Sequence, residues 1–384
     1  MNFDVEDGYA DIREAVAAIT RSFGPAYYAE HAARQEPTEE LWRELGRQGF
    51  IGINLPEQYG GGGAGLRELA LVCEETAAQG CPLLLMLVSS AISGEVIARF
   101  GSDAQKQTWL PRMASGESKV VFAITEPDAG SNTLTMSTTA VRDDRGWALH
   151  GTKYYISGVD EADAVLVVAK TGTDEKTGKA LLSLFVVPTD APGLVIQPLA
   201  VSASLPERQF TLFFDGVRLS EDHLIGTEGG GFDEVFHGLN PERVVGAAIC
   251  VGVGRYALAR AADYAKTRAV WGAPIGTHQG VSHPLAKAKI EIELAALMTD
   301  KAAWLHDNGQ SSAEASNMAK YAAAEAASAA VDAAIQTHGG NGLSTEYGLV
   351  PLWGIVRLLR IAPVSREMIL NYVAQHSLGL PRSY

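Results

Sequence analysis

The chain has 384 residues, 47% of them apolar and 20% charged, and its 31 basic against 45 acidic side chains leave a formal net charge of −14. That balance excludes intrinsic disorder and speaks against a general nucleic-acid backbone binder, while the length allows two or three domains. No run of about 18 uncharged apolar residues occurs, so no transmembrane helix is expected.

The N-terminus is acidic and already helical in pattern, unlike a secretory signal or an Arg-rich transit peptide. Residues from about 8 to 118 read as helices: Ile12, Val16, Ile19 and Phe23 fall near helical spacing, as do Leu66, Leu69, Val72 and Cys73. The glycine cluster Tyr59–Gly65 interrupts them as a loop, and Pro82–Ala98 suits a buried helix. The pattern changes near Lys119. Short β-rich runs follow: Val120–Ile124, Trp147–Gly151, Tyr154–Ser157, Ala164–Lys170, Leu182–Pro188, Leu194–Pro198 and Gln209–Val217, with turn residues between them. They predict a small β-barrel or sandwich, with residues 171–180 as a solvated hairpin tip. After Gly229–Gly231 the chain turns helical again over Val244–Thr267, Pro284–Asp307, Ala313–His338 and a last segment Leu349–Leu378, which predicts an antiparallel four-helix bundle. The expected domains are therefore 1–118 (helical), 119–230 (β-barrel) and 231–384 (helical bundle). Cys73, Cys81 and Cys250 are odd in number and lack CxxC spacing, so they read as buried thiols in a reducing, cytoplasmic setting, and no metal site is expected.

Five segments could carry chemistry. In Phe122-Ala-Ile-Thr-Glu-Pro-Asp-Ala-Gly-Ser-Asn132 a strand ends in a turn that exposes amides and hydroxyls, and Glu126 reads as a surface or turn carboxylate. Lys153-Tyr-Tyr-Ile-Ser157 places an aromatic and a hydroxyl on one strand. In Asn240-Pro-Glu-Arg243, Asn240 suits a helix N-cap and Pro241 a first helical residue, which puts Glu242 in the first turn. Thr267–Ile275 with His278-Gln279 combines an Arg, an aromatic and a Gly-x-Pro turn. Gln336-Thr-His-Gly-Gly-Asn-Gly342 permits close backbone approach; it is not GxGxxG and follows no βαβ unit, so a Rossmann reading fails.

In this order and with these gaps, the segments resemble the acyl-CoA dehydrogenase family over about residues 8–380. Thr-Glu-Pro-x-Ala-Gly-Ser and Gln-x-x-Gly-Gly-Asn-Gly are specific signatures, and the stretch from Tyr264 to Ile275 is similar to the family's YAxxRxxFGxPI, with Trp271 in place of the Phe. The resemblance implies a helical domain, a β-barrel domain and a C-terminal bundle, an FAD cofactor, an acyl-CoA substrate, an electron-transfer flavoprotein as acceptor and a homotetramer built from dimers. It implies that Thr125, Tyr155 and Ser157 lie against the flavin ring and that Ser131 lies near flavin and CoA phosphates. Arg268, Trp271, Gln279, Gln336, Gly339 and Gly340 would hold the FAD phosphates and adenosine across a subunit interface, with Ser365 and Glu367 near the cofactor and Arg243 near the CoA portion or supporting the catalytic base. His338 reads as a packed or adenosine-side residue. One departure matters: Pro363 falls where most members carry the base Glu. Glu242, before Arg243, matches the position of the base in a minority branch and is the first candidate; Glu367 is the second. An oxidase, monooxygenase or enoyl-CoA reductase on the same fold, and a partner subunit of a larger dehydrogenase, are the alternatives.

Overall fold

A computed structural model describes residues 7–382 of the chain. The N-terminal third consists of α1 (Asp7–Arg34), kinked at Gly24, α2 (Glu39–Arg47), α3 (Leu66–Ala78), a π-helical stretch Met86–Gly94 that runs into α4 (Glu95–Phe100), and α5 (Asp103–Ala114). Ser102 and Gln105 form a reciprocal cap on α5, and the Gln105 side-chain amide donates to the carbonyls of Asp222 and Leu224, which ties this helix to the end of the sheet region.

The middle of the chain forms β1 (Val120–Ala123), β2 (Thr139–Asp143), β3 (Gly146–Ser157), β4 (Ala164–Thr173), β5 (Ala180–Pro188), β6 (Leu194–Leu199), β7 (Gln209–Leu219) and β8 (Leu224–Ile225). The strand path β6-β7-β3-β2-β4-β5-β8, with β1 pairing β4, does not join its two ends. The expected barrel is thus an open sheet. The strands between the ends are neighbours of one another, but no ladder connects β6 to β8 among the described residues. β3 merges two expected strands: register shifts between Leu149/His150 and Lys153/Ile156 carry it through both as one bulged strand. The unbroken buried run of β4 fits its place in the middle of the sheet, between β5 and the pair β1 and β2.

The C-terminal third begins with α6 (Gly231–Thr267), a 37-residue helix. It is long and apolar enough to cross a membrane, contrary to the expectation of no such helix, but 78% of its most apolar window is buried in the fold. A two-stranded ribbon, β9 (Ala269–Val270) and β10 (Ala273–Pro274), leads to α7 (Gln279–Asp307) and α8 (Ala313–His338). The last expected segment is two helices, α9 (Val350–Ile361) and α10 (Arg366–Tyr372), separated at the Ala362–Pro363 bond. Helices α6, α7 and α8 pack on one another and α9 on α8. Alanines at 319, 323, 327, 330 and 334 are buried along α8, and Gly254 of α6 lies so close to α7 that a Cβ there would stand 2.2 Å from Ile292 Cδ1. Small side chains bring the axes together, so dispersion contacts along the seams replace bulky knobs.

Candidate functional site

The loop after β1 is held from beneath by an ion pair. Lys153, fully buried on β3, donates to the Ile124 carbonyl (3.0 Å) and to Glu126 Oε1 (2.9 Å). Glu126 also accepts from the Ser137 amide and hydroxyl and from the Thr138 amide. The surface reading of Glu126 is therefore wrong: the side chain is buried. Burial opposes its ionisation, but Lys153 and the hydrogen bonds outweigh that cost and hold its carboxyl at about 2. The paired charge fixes the loop that carries Thr125 and Ser131.

The Tyr154 amide donates to the Thr125 carbonyl (2.8 Å), which sets Thr125 beside the bulge of β3. At that bulge Tyr155 takes φ +58° and is left 55% exposed, with its ring edge-on to Tyr154 at 4.4 Å. An aromatic in this backbone conformation is uncommon and stays put only where its surroundings hold it. Ser157 exchanges hydrogen bonds with the Gln209 amide at 3.0 and 3.1 Å. Thr125, Tyr155 and Ser157 thus form one neighbourhood, while Ser131 sits in the exposed turn beyond it.

A second neighbourhood lies at the far end of α6. The Arg268 amide caps α6 on the Tyr264 carbonyl, and its own carbonyl accepts from Ile275 across the ribbon. Trp271, at the ribbon's tip, has φ +51° and is 89% exposed. Gln279 opens α7, and Gln336, Gly339 and Gly340 end α8, all exposed. His338 is packed as expected, stacked on Tyr264 at 4.3 Å with its Nδ1 on the Ala334 carbonyl, and Asn341 donates to the hydroxyls of Tyr264 and Tyr347. This knot joins the glycine loop to the end of α6. No hydrogen bond, ion pair or ring contact among the described residues links it to the neighbourhood of Thr125.

Both neighbourhoods suit a large planar ligand with phosphates. Two aromatic faces stand uncovered, and a Cβ added at Gly339 or Gly340 would meet open space, so their backbones are accessible. The side chains on offer are hydroxyls, amides and one free-standing guanidinium.

The third group lies on α6 itself. The helix starts nine residues before Asn240 and passes through Pro241, which gives up only its own ladder bond to His237. Asn240 is therefore no N-cap; its Oδ1 accepts from Arg243 at 2.6 Å. Glu242 is not in a first turn either, and the favourable end of the helix dipole is out of its reach. It is 6% exposed and makes no hydrogen bond or ion pair among the described residues. Burial pushes its carboxyl up to about 8, against the lowering influence of Arg243 and Lys320. Ser365 caps α10 by accepting from the Met368 amide (3.3 Å), and Glu367 lies in the first turn of that helix, with its side chain 73% exposed and 3.4 Å from Arg366. The structure therefore separates the two candidate bases: one is dry and unpartnered, the other wet. No bond links Ser131 to Arg243 among the described residues.

Lys320 was missed in the sequence. It is 2% exposed on α8, and its ammonium donates to the Val364 carbonyl. The available signal is that it is the lone Lys in the alanine-rich stretch Ala313–His338. The Lys153–Glu126 pair was missed too, because nothing in the spacing of the two residues announces that they meet.

Comparison with known proteins matches residues 7–117, 121–217 and 229–378 to the family models for the N-terminal, middle and C-terminal domains of acyl-CoA dehydrogenase. The acyl-CoA dehydrogenase FadE12 of Mycobacterium tuberculosis is 58% identical over 97% of this chain and 96% of its own. Among solved structures, the butyryl-CoA dehydrogenase of Megasphaera elsdenii superposes with a TM-score of 0.93 at 27% identity, over 98% of this chain and 100% of its own. A structure described as the FAD complex of PigA gives the same TM-score and identity, over 99% and 100%.

Proposed function

The chain belongs to the acyl-CoA dehydrogenase family, and from that premise we propose that it is an FAD-dependent enzyme that converts a saturated acyl-CoA thioester to the 2-enoyl-CoA with Glu242 as base. The observation that carries this reading is Glu242 itself, a buried carboxylate without a partner on a chain that has Pro363 where most relatives hold their base. Thr125, Tyr155 and Ser157 would hold the flavin ring. Arg268, Trp271, Gln279, Gln336, Gly339 and Gly340 would hold its phosphates and adenosine, with Ser365 and Glu367 at its margin. Bound flavin supplies the acceptor for the β-hydrogen and its electron pair.

Glu242 takes the α-proton. In its dry surroundings the protonated carboxyl is the favoured form, so proton transfer relieves a buried charge, while Arg243 and Lys320 keep the ionised form within reach. Arg243, which donates to Asn240, would meet the CoA portion of the substrate or support the base. Electrons would pass on to an electron-transfer flavoprotein. The three cysteines, all free and buried, suit a cytoplasmic enzyme. Trp271 and Arg268 are exposed, and Ile290, Leu294 and Leu297 form an exposed apolar stripe on α7, which supports assembly into a homotetramer. Light scattering on the purified protein measures that assembly.

The test of function is anaerobic mixing of the yellow holoenzyme with straight-chain and branched acyl-CoAs. Bleaching with at least one thioester is the expected result. Flavin that stays oxidised with all of them overturns the dehydrogenase reading and favours a same-fold flavin enzyme of different chemistry, such as a monooxygenase; rapid reoxidation of bleached flavin by oxygen would mark an oxidase.

A further inference from the structure

We propose that Gln209 is a positioning residue for this enzyme: its buried amide offers the Ser157 hydroxyl a donor and an acceptor side by side, so that the hydroxyl can give a hydrogen bond to an oxidised flavin ring and take one from the reduced ring. The inference rests on the reading that Ser157 lies against the flavin.

Ser157 closes β3 and pairs directly with Gln209, the first residue of β7, so both side chains leave the sheet on one face. Ser157 is half-buried and Gln209 is 7% exposed, so the hydroxyl is the more open of the two and the amide the enclosed one. The backing is held in place. Gln209 Nε2 also donates to the Glu207 carbonyl (3.4 Å), which fixes the amide's orientation, since turned over it would set oxygen against oxygen. Glu207 in turn accepts from the Leu84 amide at 3.0 Å. Beside them the Gly158 amide donates to the Arg208 carbonyl (2.8 Å), and a Cβ added at Gly158 would stand 2.6 Å from Leu85 Cδ2.

The two ends of the amide decide what the hydroxyl can do. Ser157 Oγ lies 3.0 Å from Nε2 and 3.1 Å from Oε1. A hydroxyl has one hydrogen to give and lone pairs that accept. While Nε2 donates to Oγ, the hydroxyl hydrogen is free for an acceptor on a ligand. When that hydrogen turns to Oε1, which serves no other group among the described residues, an Oγ lone pair is free for a donor. A flavin calls for the two in turn. The ring nitrogen that receives the β-hydrogen and its electron pair accepts a hydrogen bond before the transfer and carries an N–H after it. An aliphatic side chain at 209 would leave the hydroxyl hydrogen aimed at the ring, which suits the oxidised state and opposes the reduced one.

The experiment uses flavin-loaded Gln209→Met, Ser157→Ala and the double variant. The flavin midpoint potential is read against a reference dye, beside the absorption spectrum, flavin content and thermal midpoint. In Gln209→Met the ratio of reduced to oxidised flavin at a fixed potential should fall about tenfold, a negative shift of about 30 mV for a two-electron couple. Added to Ser157→Ala, the same substitution should shift nothing further. A purely structural glutamine would lower flavin content or the thermal midpoint and leave the potential in place. Gln209→Asn draws the amide back by one methylene and carries the same expectation where Met disturbs folding. A potential that does not move, or a shift of equal size without the Ser157 hydroxyl, overturns the proposal. If Ser157→Ala alone changes neither spectrum nor potential, Ser157 is not against the flavin, and the proposal falls with that reading.

Discussion

Two regions of this molecule bury charge in opposite ways. Under the loop after β1, Lys153 and Glu126 meet at 2.9 Å, and the amides of Ser137 and Thr138 add to the network. On α6 and α8, Glu242 and Lys320 are also buried, yet neither has a charged partner within ion-pair distance among the described residues. The first arrangement settles both charges and spends them on holding a loop in place. The second leaves a carboxylate with its pKa displaced and its oxygens open, the condition that a general base needs. A satisfied buried charge builds structure, and an unsatisfied one is available for chemistry.

The largest expected effect lies on the structural side. Lys153→Met leaves Glu126 charged, buried and unpaired, and should cost about 3–5 kcal/mol of stability, read as a drop in C_m with denaturant. A loss within experimental error would mean that the pair is no clamp. Next comes Glu242→Gln, which should lower turnover by at least about 10²-fold while the protein keeps its FAD and its thermal midpoint. The contrast between the two regions fails if that variant unfolds like Lys153→Met or works like the wild type. The third expectation concerns pH. A base must be deprotonated, and burial has raised the Glu242 carboxyl to about 8; kcat/KM should therefore rise as pH increases through about 8. A profile already flat between pH 6 and pH 9 would point to another base. The smallest effect on the fold is expected at Trp271→Ala. The ring is 89% exposed, so stability should change by less than about 0.5 kcal/mol, but FAD retention on gel filtration should fall. Unchanged retention would remove Trp271 from the cofactor site.

Much of this architecture was legible in the chain. The stretch Ala313–His338 is a helix with the expected ends, and the β-rich runs became strands with borders moved by one to three residues, apart from the two joined in β3. β2 and β8 went unseen because Thr139–Asp143 is largely polar and Leu224–Ile225 is only two residues long. The errors at the candidate site have a common physical origin. Asn-Pro reads locally as a helix start, but the burial of α6 along its length outweighs the single bond that Pro241 forfeits. Glu126 follows a strand and precedes Pro127, which looks like a turn on the surface; only the pairing of Tyr154 with Thr125, which brings Lys153 under the loop, turns it inward.

The sequence by itself determined the order of helical, strand-rich and helical regions and the positions of the glycine and aromatic signatures, because apolar periodicity and turn residues act over a few neighbours. It also singled out Glu242 as a carboxylate beside an arginine. Tertiary structure decided which charges meet. That Glu126 has Lys153 and that Glu242 has no such partner depends on contacts between segments 27 residues apart in one case and between separate helices in the other. Desolvation is a property of the packed surroundings, so the same residue type became a structural anion in one region and a candidate base in the other.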